Sequence, residues 1–350
     1  MMAFPKLLSG FRSLRIALSS ISGSWMLILL LGFWAVSGCN SQVENEDQKP
    51  NIIIIYADDV GYGDLSSYGA EKIQTPNLDN LASQGARFTN AHATSAMCTP
   101  SRYSLLTGRY AFRHPSAGIL SAEDPLIIEP GSKTLPAMLK EAGYTTSIVG
   151  KWHLGLGAEE EPINWNGQVK PGPLEVGFDE SFILPVTNDR VPTVYVKGHK
   201  VYQLGEGDSL RVKYPKEGHH EYQEESFGEK EKSAPKVPQP LVGDLPSGHT
   251  HPEQLRYPAD AQHSGTIVNG VSRIGYQAGG QSAWWDDENM SSDFADRAKD
   301  FIADNENPFF LYLSMPENHV PRIPNPEFVG SSETGLRGDA LQELDAVVGQ

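Results

Sequence analysis

The sequence predicts an α/β fold: a mixed, mostly parallel sheet flanked by helices. Three observations predict it. Asn51-Ile52-Ile53-Ile54-Ile55-Tyr56 is a β-branched run without polar alternation, the pattern of a parallel-sheet strand buried on both faces. Apolar runs of this kind alternate along the chain with segments of helical period. Three predicted strands also run into polar, chemically capable residues: Asp58 and Asp59, then Lys151 and His153, then His319. Open α/β sheets place ligands beyond the carboxyl ends of their strands, so one cleft lined by all three is expected.

The elements follow in order. Thr75-Pro76 opens a helix with Thr as N-cap and Pro at the first position; Leu78 and Leu81 share a face and Gly85 closes it. Arg87 to Ala91 reads as a short strand. Pro100 fits the first position of another helix, which places Cys98 at or just before its start, and Gly108 fits its end. Leu135 to Glu141 reads as a helix closed by Gly143, and Thr145 to Val149 as the strand that delivers Gly150-Lys151-Trp152-His153. Val194-Tyr195-Val196 and Val201-Tyr202 flank a Gly198 turn as a hairpin. Residues 203–262 are rich in Gly, Pro, Glu, Lys and His, so a polar insertion of about 195–285 over the cleft rim is expected. Ser292 starts a helix with Phe294, Ala298, Phe301 and Ile302 on one face, Asn307-Pro308 ends it, and Phe309 to Leu313 is the next strand.

With 350 residues the chain holds one large domain or two ordinary ones. Its 44 acidic against 28 basic side chains give a net charge of −16, which excludes a basic nucleic-acid footprint. Lys6, Arg12 and Arg15 precede an apolar run from Trp25 to Val36, too short to span a bilayer as a mature helix. Val36-Ser37-Gly38-Cys39 resembles a bacterial lipobox. Residues 1–38 are thus expected to be a lipoprotein-type signal peptide and 39–49 a polar tether. That implies export to the periplasm or cell surface and a membrane anchor through lipid on Cys39. An ordinary signal peptide cut near Gly38, or an uncleaved anchor, is the alternative. A disulfide between Cys39 and Cys98, the two cysteines of the chain, would have no obvious structural purpose.

Cys98-Thr99-Pro100-Ser101-Arg102, running on to Leu106-Thr107-Gly108-Arg109, resembles the sulfatase signature, Cys-x-Pro-Ser-Arg with a Thr-Gly-Arg end. The resemblance extends from Asn51 to the last residue. It implies an arylsulfatase-like enzyme of the alkaline-phosphatase superfold that hydrolyses sulfate monoesters of aryl groups or carbohydrates, a sulfated small molecule or a glycan. It implies that a formylglycine-generating enzyme oxidises Cys98 to formylglycine. One hydroxyl of the hydrated aldehyde attacks sulfur; the other is then deprotonated and the group collapses to the aldehyde, expelling sulfate. An unmodified thiol, of pKa about 8.5, is the plain alternative.

The resemblance also implies roles for the strand ends. Asp58 and Asp59, with residue 98, look like the metal-binding element; two adjacent carboxylates suit a hard ion such as Ca2+ or Mg2+, although alone they read better as a solvated acidic turn. Arg102 stands one helical turn from Cys98 and would help hold the nucleophile and metal. Gly150-Lys151-Trp152-His153 resembles the second signature, in which Lys151 contacts the sulfate and nucleophile oxygens and His153 the formylglycine hydroxyl; in a strand both point to one face. His319, in Asn318-His319-Val320-Pro321, matches the histidine that contacts the ester and protonates the leaving group. His92 reads as structural, and His219, His220, His249 and His251 as solvent-exposed. His263, beside Thr266-Ile267-Val268, could face substrate.

The resemblance stops in mid-pattern. Gly338 to Gly349 looks like the helix before the family's next strand, which leads to an Asp-Asn pair completing the metal site and to a further Lys. The smaller C-terminal domain is missing too. The expectation is a chain cut short by truncation or a broken reading frame. A non-catalytic, degenerate sulfatase-like protein is the second reading, and a phosphatase of the same superfold, which would want Ser or Thr at position 98, the third.

Overall fold

Strand β1 (Ile52–Tyr56), helix α1 (Pro76–Gln84), helix α2 (Cys98–Thr107), helix α3 (Leu135–Glu141) and strand β2 (Thr145–Lys151) open the fold. Strands β3 (Glu180–Leu184), β4 (Val196–Lys197), β5 (Lys200–Val201), β6 (Arg211–Lys213), β7 (Ile267–Val268), β8 (Val271–Ser272) and β9 (Tyr276–Ala278) follow. Helix α4 (Met290–Asp304), strand β10 (Phe309–Ser314) and helix α5 (Leu336–Gly349) close it. This computed structural model describes residues 49–214, 246–248, 250–259 and 262–350; Cys39 and its flanking leader, His219, His220 and His249 lie outside the described residues. Pro50–Gln350 forms one compact unit. Among the described residues no helix is long and apolar enough to cross a membrane.

The main sheet has the order β1-β10-β2-β3-β4-β5. Its first four strands are parallel, and the β4–β5 hairpin adds antiparallel at the far edge. This is the predicted mixed, mostly parallel sheet. Side chains alternate across it. Phe310 and Tyr312 of β10 and Ile148 of β2 join Trp152, Phe178 and Leu106 in one core; Phe309, Leu311 and Leu313 join Phe294, Ala298 and Phe301 of α4 and Leu341 and Leu344 of α5 in the other. Parallel strands need helical crossovers, and these cover both faces.

Four expectations are corrected. β1 is an edge strand rather than one buried on both faces: Ile52 and Ile54 pack on the first core, whereas Ile53 is 46% exposed and Ile55 37%. α4 packs chiefly over β2 and β10. Arg87 to Ala91 forms no strand; it is irregular and exposed, with Tyr68 hydroxyl donating to the Phe88 carbonyl at 2.9 Å and Arg87 over the Tyr68 ring. Pro100 stands two residues inside α2, whose cap is Met97, so Cys98 is itself the first helical residue. Finally, described apolar residues bordering and within the expected insertion are core. Val191, Val194, Tyr195, Leu210, Tyr214, Val268, Tyr276 and Trp285 are buried, and β6–β9 and β7–β8 form two small sheets. The composition of 203–262 drew attention away from its apolar flanks.

Candidate active site

Three adjacent strands end together, and their ends build the site. β10 lies between β1 and β2 in register, Tyr56 beside Ser314 and Ser314 beside Gly150. Gly150 has φ 104°, and a side chain there would overlap the Ser314 carbonyl, so glycine is what lets β2 run on to Lys151 at this spacing. Beyond the strands, Asp58 N–H donates to the Glu317 carbonyl at 2.8 Å and Asn318 N–H donates to the Asp58 carbonyl. These bonds set the loop carrying His319 against the one carrying Asp58. The start of α2 is pinned to the end of β2 by Thr99 hydroxyl, which donates to the His153 carbonyl at 2.8 Å.

Asp58, Cys98, Lys151, Arg102 and His319 thereby converge. Cys98 is a free thiol whose sulfur lies 3.6 and 3.9 Å from the two Asp58 carboxylate oxygens. Lys151 Nζ donates to Asp58 Oδ2 and lies 3.2 Å from Cys98 Sγ. Arg102 Nη2 lies 3.6 Å from Asp58 Oδ1. The ligating atoms of Asp58, Cys98 and His319 all lie within 4.8 Å of one another. Arg102, one turn along α2 and fully buried, donates to the Lys151 carbonyl at 3.2 Å and to Tyr312 hydroxyl at 3.3 Å, contacts Ser314, and sits over the Tyr56 ring. It ties the helix to the ends of all three strands.

The charges explain the protonation states. Burial alone would raise the Asp58 carboxyl, but Lys151, Arg102 and His319 outweigh it and hold the group well below the usual carboxylate range. Burial likewise opposes ionisation of the Cys98 thiol, yet Lys151 and a hydrogen bond to His319 bring it below its ordinary value. Burial and Lys151 disfavour the His319 imidazolium, while the bond to Cys98 and the charges of Asp189 and Asp58 more than offset them, so its proton is held more tightly than usual. His319 Nδ1 is 2.6 Å from the Val320 carbonyl, an acceptor, so Nδ1 carries hydrogen and the other ring edge is turned to Cys98. His153 is buried and neutral: burial first, then Lys151 and Arg190, push it far below the ordinary histidine range. Its Nε2 donates to the Leu120 carbonyl at 2.9 Å, and Nδ1 is a buried atom without a hydrogen-bond partner.

Asp59 is not brought into this group. It is exposed at φ 55°, and its charge acts on Arg322 and Arg337 instead. His92 and His251 also lie apart, His92 on the surface with Asn90 and His251 bonded to its neighbour Thr250. Sequence reasoning missed Tyr56, Tyr312 and Ser314, which cradle Arg102, and Asp189 and Arg190, which follow β3. The strand-end rule that found His319 would have found Asp189 too, had the short Phe182-Ile183-Leu184 run before Pro185 been read as a strand.

The donor set accommodates a hard cation. Asp58 is an ionised, buried carboxylate within 4 Å of position 98, and oxygen from a modified residue 98 would add to it. The Sulfatase family model matches residues 50–350. An N-acetylgalactosamine-6-O-sulfatase of Bacteroides thetaiotaomicron is 43% identical over 332 residues, covering 93% of this chain and 60% of that protein. Bovine arylsulfatase A is 31% identical, covering 86% of this chain and 47% of its own. A solved structure from work on glycosaminoglycan metabolism by B. thetaiotaomicron superposes with a TM-score of 0.77 at 45% identity, over 86% of this chain and 58% of that one. The chain therefore spans about half to three fifths of the length of these relatives.

Proposed function

The chain belongs to the sulfatase family, and on that premise we propose that it hydrolyses sulfate monoesters carried by a carbohydrate, with residue 98 as the nucleophile position. The observation that carries this reading is the convergence of Lys151, Asp58 and His319 on Cys98 at the carboxyl ends of three parallel strands. Conversion of Cys98 to formylglycine would supply a hydrated aldehyde whose hydroxyl is the attacking group. Lys151, fully buried, places positive charge where the sulfate oxygens would sit. Its charge stands beside both the nucleophile and Asp58. Arg102 fixes the helix start and neutralises Asp58 from below. His319, its Nδ1 committed to the Val320 carbonyl, holds a proton on the edge facing residue 98 and can deliver it to the leaving oxygen.

Asp58 and the modified residue 98 would hold the divalent ion, Ca2+ or Mg2+, which supplies positive charge to the sulfate oxygens. Asp59 would join them by turning inward from its exposed position. The name of the B. thetaiotaomicron relative supports a 6-O-sulfated N-acetylgalactosamine residue as substrate. The basic and apolar leader ending in Cys39 supports export and lipid anchoring at the periplasm or cell surface. Nothing in the geometry favours the non-catalytic alternative.

The test is paired. Mass spectrometry of the Cys98 peptide, from protein co-expressed with a formylglycine-generating enzyme, should show the thiol replaced by an aldehyde. The same protein should release sulfate from N-acetylgalactosamine 6-sulfate. Release of sulfate by protein whose Cys98 stays a thiol would refute the nucleophile assignment, and absence of release from converted protein would refute the substrate.

A further inference from the structure

Helix α2 carries residue 98 at its start. At its far end Gly108, at φ 65°, turns the chain into Arg109-Tyr110-Ala111-Phe112-Arg113. Ten helical residues at about 1.5 Å each set this turn roughly 15 Å along the helix from the nucleophile position. Ala111 is buried and its N–H donates to Ser104 Oγ at 3.2 Å, while Arg113 N–H donates to the Tyr110 carbonyl at 3.1 Å. The turn is thereby held on α2 with the residues on either side of Ala111 facing out. Tyr110 is 56% exposed and Phe112 81%, and their rings stack with centroids 5.3 Å apart and planes 20° from parallel. Arg109 and Arg113 are exposed, and among the described residues neither guanidinium has an ion-pair or hydrogen-bond partner. Apolar rings left open to water mark a docking surface, and the two guanidiniums beside them select an anion. The chain as a whole carries a net charge of −16, which repels a polyanion at long range, so its capture must rest on local positive charge such as this.

We propose that this turn is a second carbohydrate-binding site, separate from the catalytic cleft, that holds the sulfated polymer from which sulfate is released. Sugar rings lie on Tyr110 and Phe112, and sulfate or carboxylate groups of the same polymer meet Arg109 and Arg113. The inference rests on the sulfatase reading above, which supplies the polymer. A pyranose ring presents C–H groups on a face and hydroxyls at its rim, so an open aromatic ring covers the apolar side and leaves the hydroxyls in water. A guanidinium fork matches the paired oxygens of a sulfate or carboxylate. Binding here raises the local concentration of sulfated residues at the cleft without touching the bond that breaks.

The probe is chondroitin 6-sulfate, a polymer whose N-acetylgalactosamine residues carry 6-sulfate. It is titrated calorimetrically into the intact chain with Cys98→Ser, which does not turn it over, alone and with N-acetylgalactosamine 6-sulfate in saturating excess to fill the cleft. Polymer binding should persist under the excess of monosaccharide. Tyr110→Ala combined with Phe112→Ala should weaken it about tenfold, and Arg113→Ala should weaken it and flatten its dependence on salt. Arg109 is left in place because it belongs to the signature around residue 98. In matured protein the same substitutions should leave kcat/KM for the monosaccharide unchanged. Polymer affinity unchanged in both variants, or polymer binding abolished by the monosaccharide, overturns the proposal. Tighter binding of anionic phospholipid vesicles than of the polymer overturns it as well. A parent that binds the polymer through this turn yet releases no sulfate from it or from the monosaccharide overturns the sulfatase reading and leaves the binding site standing.

Discussion

The ammonium of Lys151 stands 3.2 Å from the sulfur of Cys98, at the end of one parallel strand and the first turn of one helix. That separation places a buried positive charge against the atom position that must attack sulfur. With Asp58 on the same ammonium, it accounts for the depressed thiol and the deeply depressed carboxyl.

Cys98→Ser should abolish sulfate release, by ~10³-fold or more, because a serine hydroxyl cannot collapse to an aldehyde and free the sulfated enzyme. The thermal midpoint should move little, since the substitution exchanges one small polar side chain for another. Steady-state kinetics with a parallel melting curve checks both; retained turnover would remove the aldehyde from the mechanism.

His319→Ala should cost about 10²–10⁴-fold in kcat for sugar sulfates, whose alkoxide leaving group needs a proton. The loss should be smaller for an aryl sulfate with an acidic phenol. A series of phenyl sulfates of graded leaving-group pKa measures this, and parallel lines for parent and variant would mean that His319 is not the acid.

Asp58→Asn should weaken Ca2+ binding by at least about tenfold, read by calorimetric titration. In metal-free protein it should also cost about 3–5 kcal/mol, because Lys151 and Arg102 stay buried without their counter-charge. The sign with pH follows from the folded carboxyl lying below its ordinary 3.8. The stabilisation by Asp58 is present above that value and lost as pH falls below it, so the variant should show the flatter acid limb in a melting series.

Glu343 offers the opposite sign. Burial first, and Glu317 second, push its carboxyl from 4.5 up to about 8. Ser291 hydroxyl donates to Glu317 Oε1 at 2.5 Å and also touches Glu343, and one hydroxyl proton cannot satisfy two carboxylates. The proton on Glu343 stabilises the fold fully below pH 4.5, and that contribution is lost as pH rises through 8. Glu343→Gln, which stays neutral, should therefore gain thermal midpoint over the parent between pH 7 and 9 and not at pH 4. A difference constant with pH would mean that Glu343 is ionised in the folded protein.

Much of this was legible in one dimension. Cys98, Arg102, Lys151 and His319 stand where local signals put them, in a helix-opening motif and at or beyond the ends of apolar strands. His153, expected in the strand on one face with Lys151, lies instead past the strand end at φ 52° and bonds to the Leu120 carbonyl. The helix Leu135–Glu141 and the Gly108 cap also follow from local signals, while the helix expected over Gly338 to Gly349 came from the resemblance and begins two residues earlier, at Leu336. Arg87 to Ala91 misled because a β-permissive stretch becomes a strand only where a neighbouring strand offers hydrogen bonds. The buried flanks of 186–285 were hidden because composition averages over a window, whereas burial is decided residue by residue.

The sequence by itself determined the chemistry on offer: which side chains can ionise, donate or attack, and that strand ends deliver them. It also determined the α/β class, because unbroken β-branched runs alternating with amphipathic helices have few other ways to bury their apolar surface. Only the tertiary structure decided that Asp58 and not Asp59 meets Cys98, that β1 lies at the sheet edge, and that Asp189 joins His263 across 74 residues. Those outcomes depend on strand order and on loops tied by backbone bonds between segments distant in sequence. No local pattern encodes such long-range pairings; the chain finds them by packing.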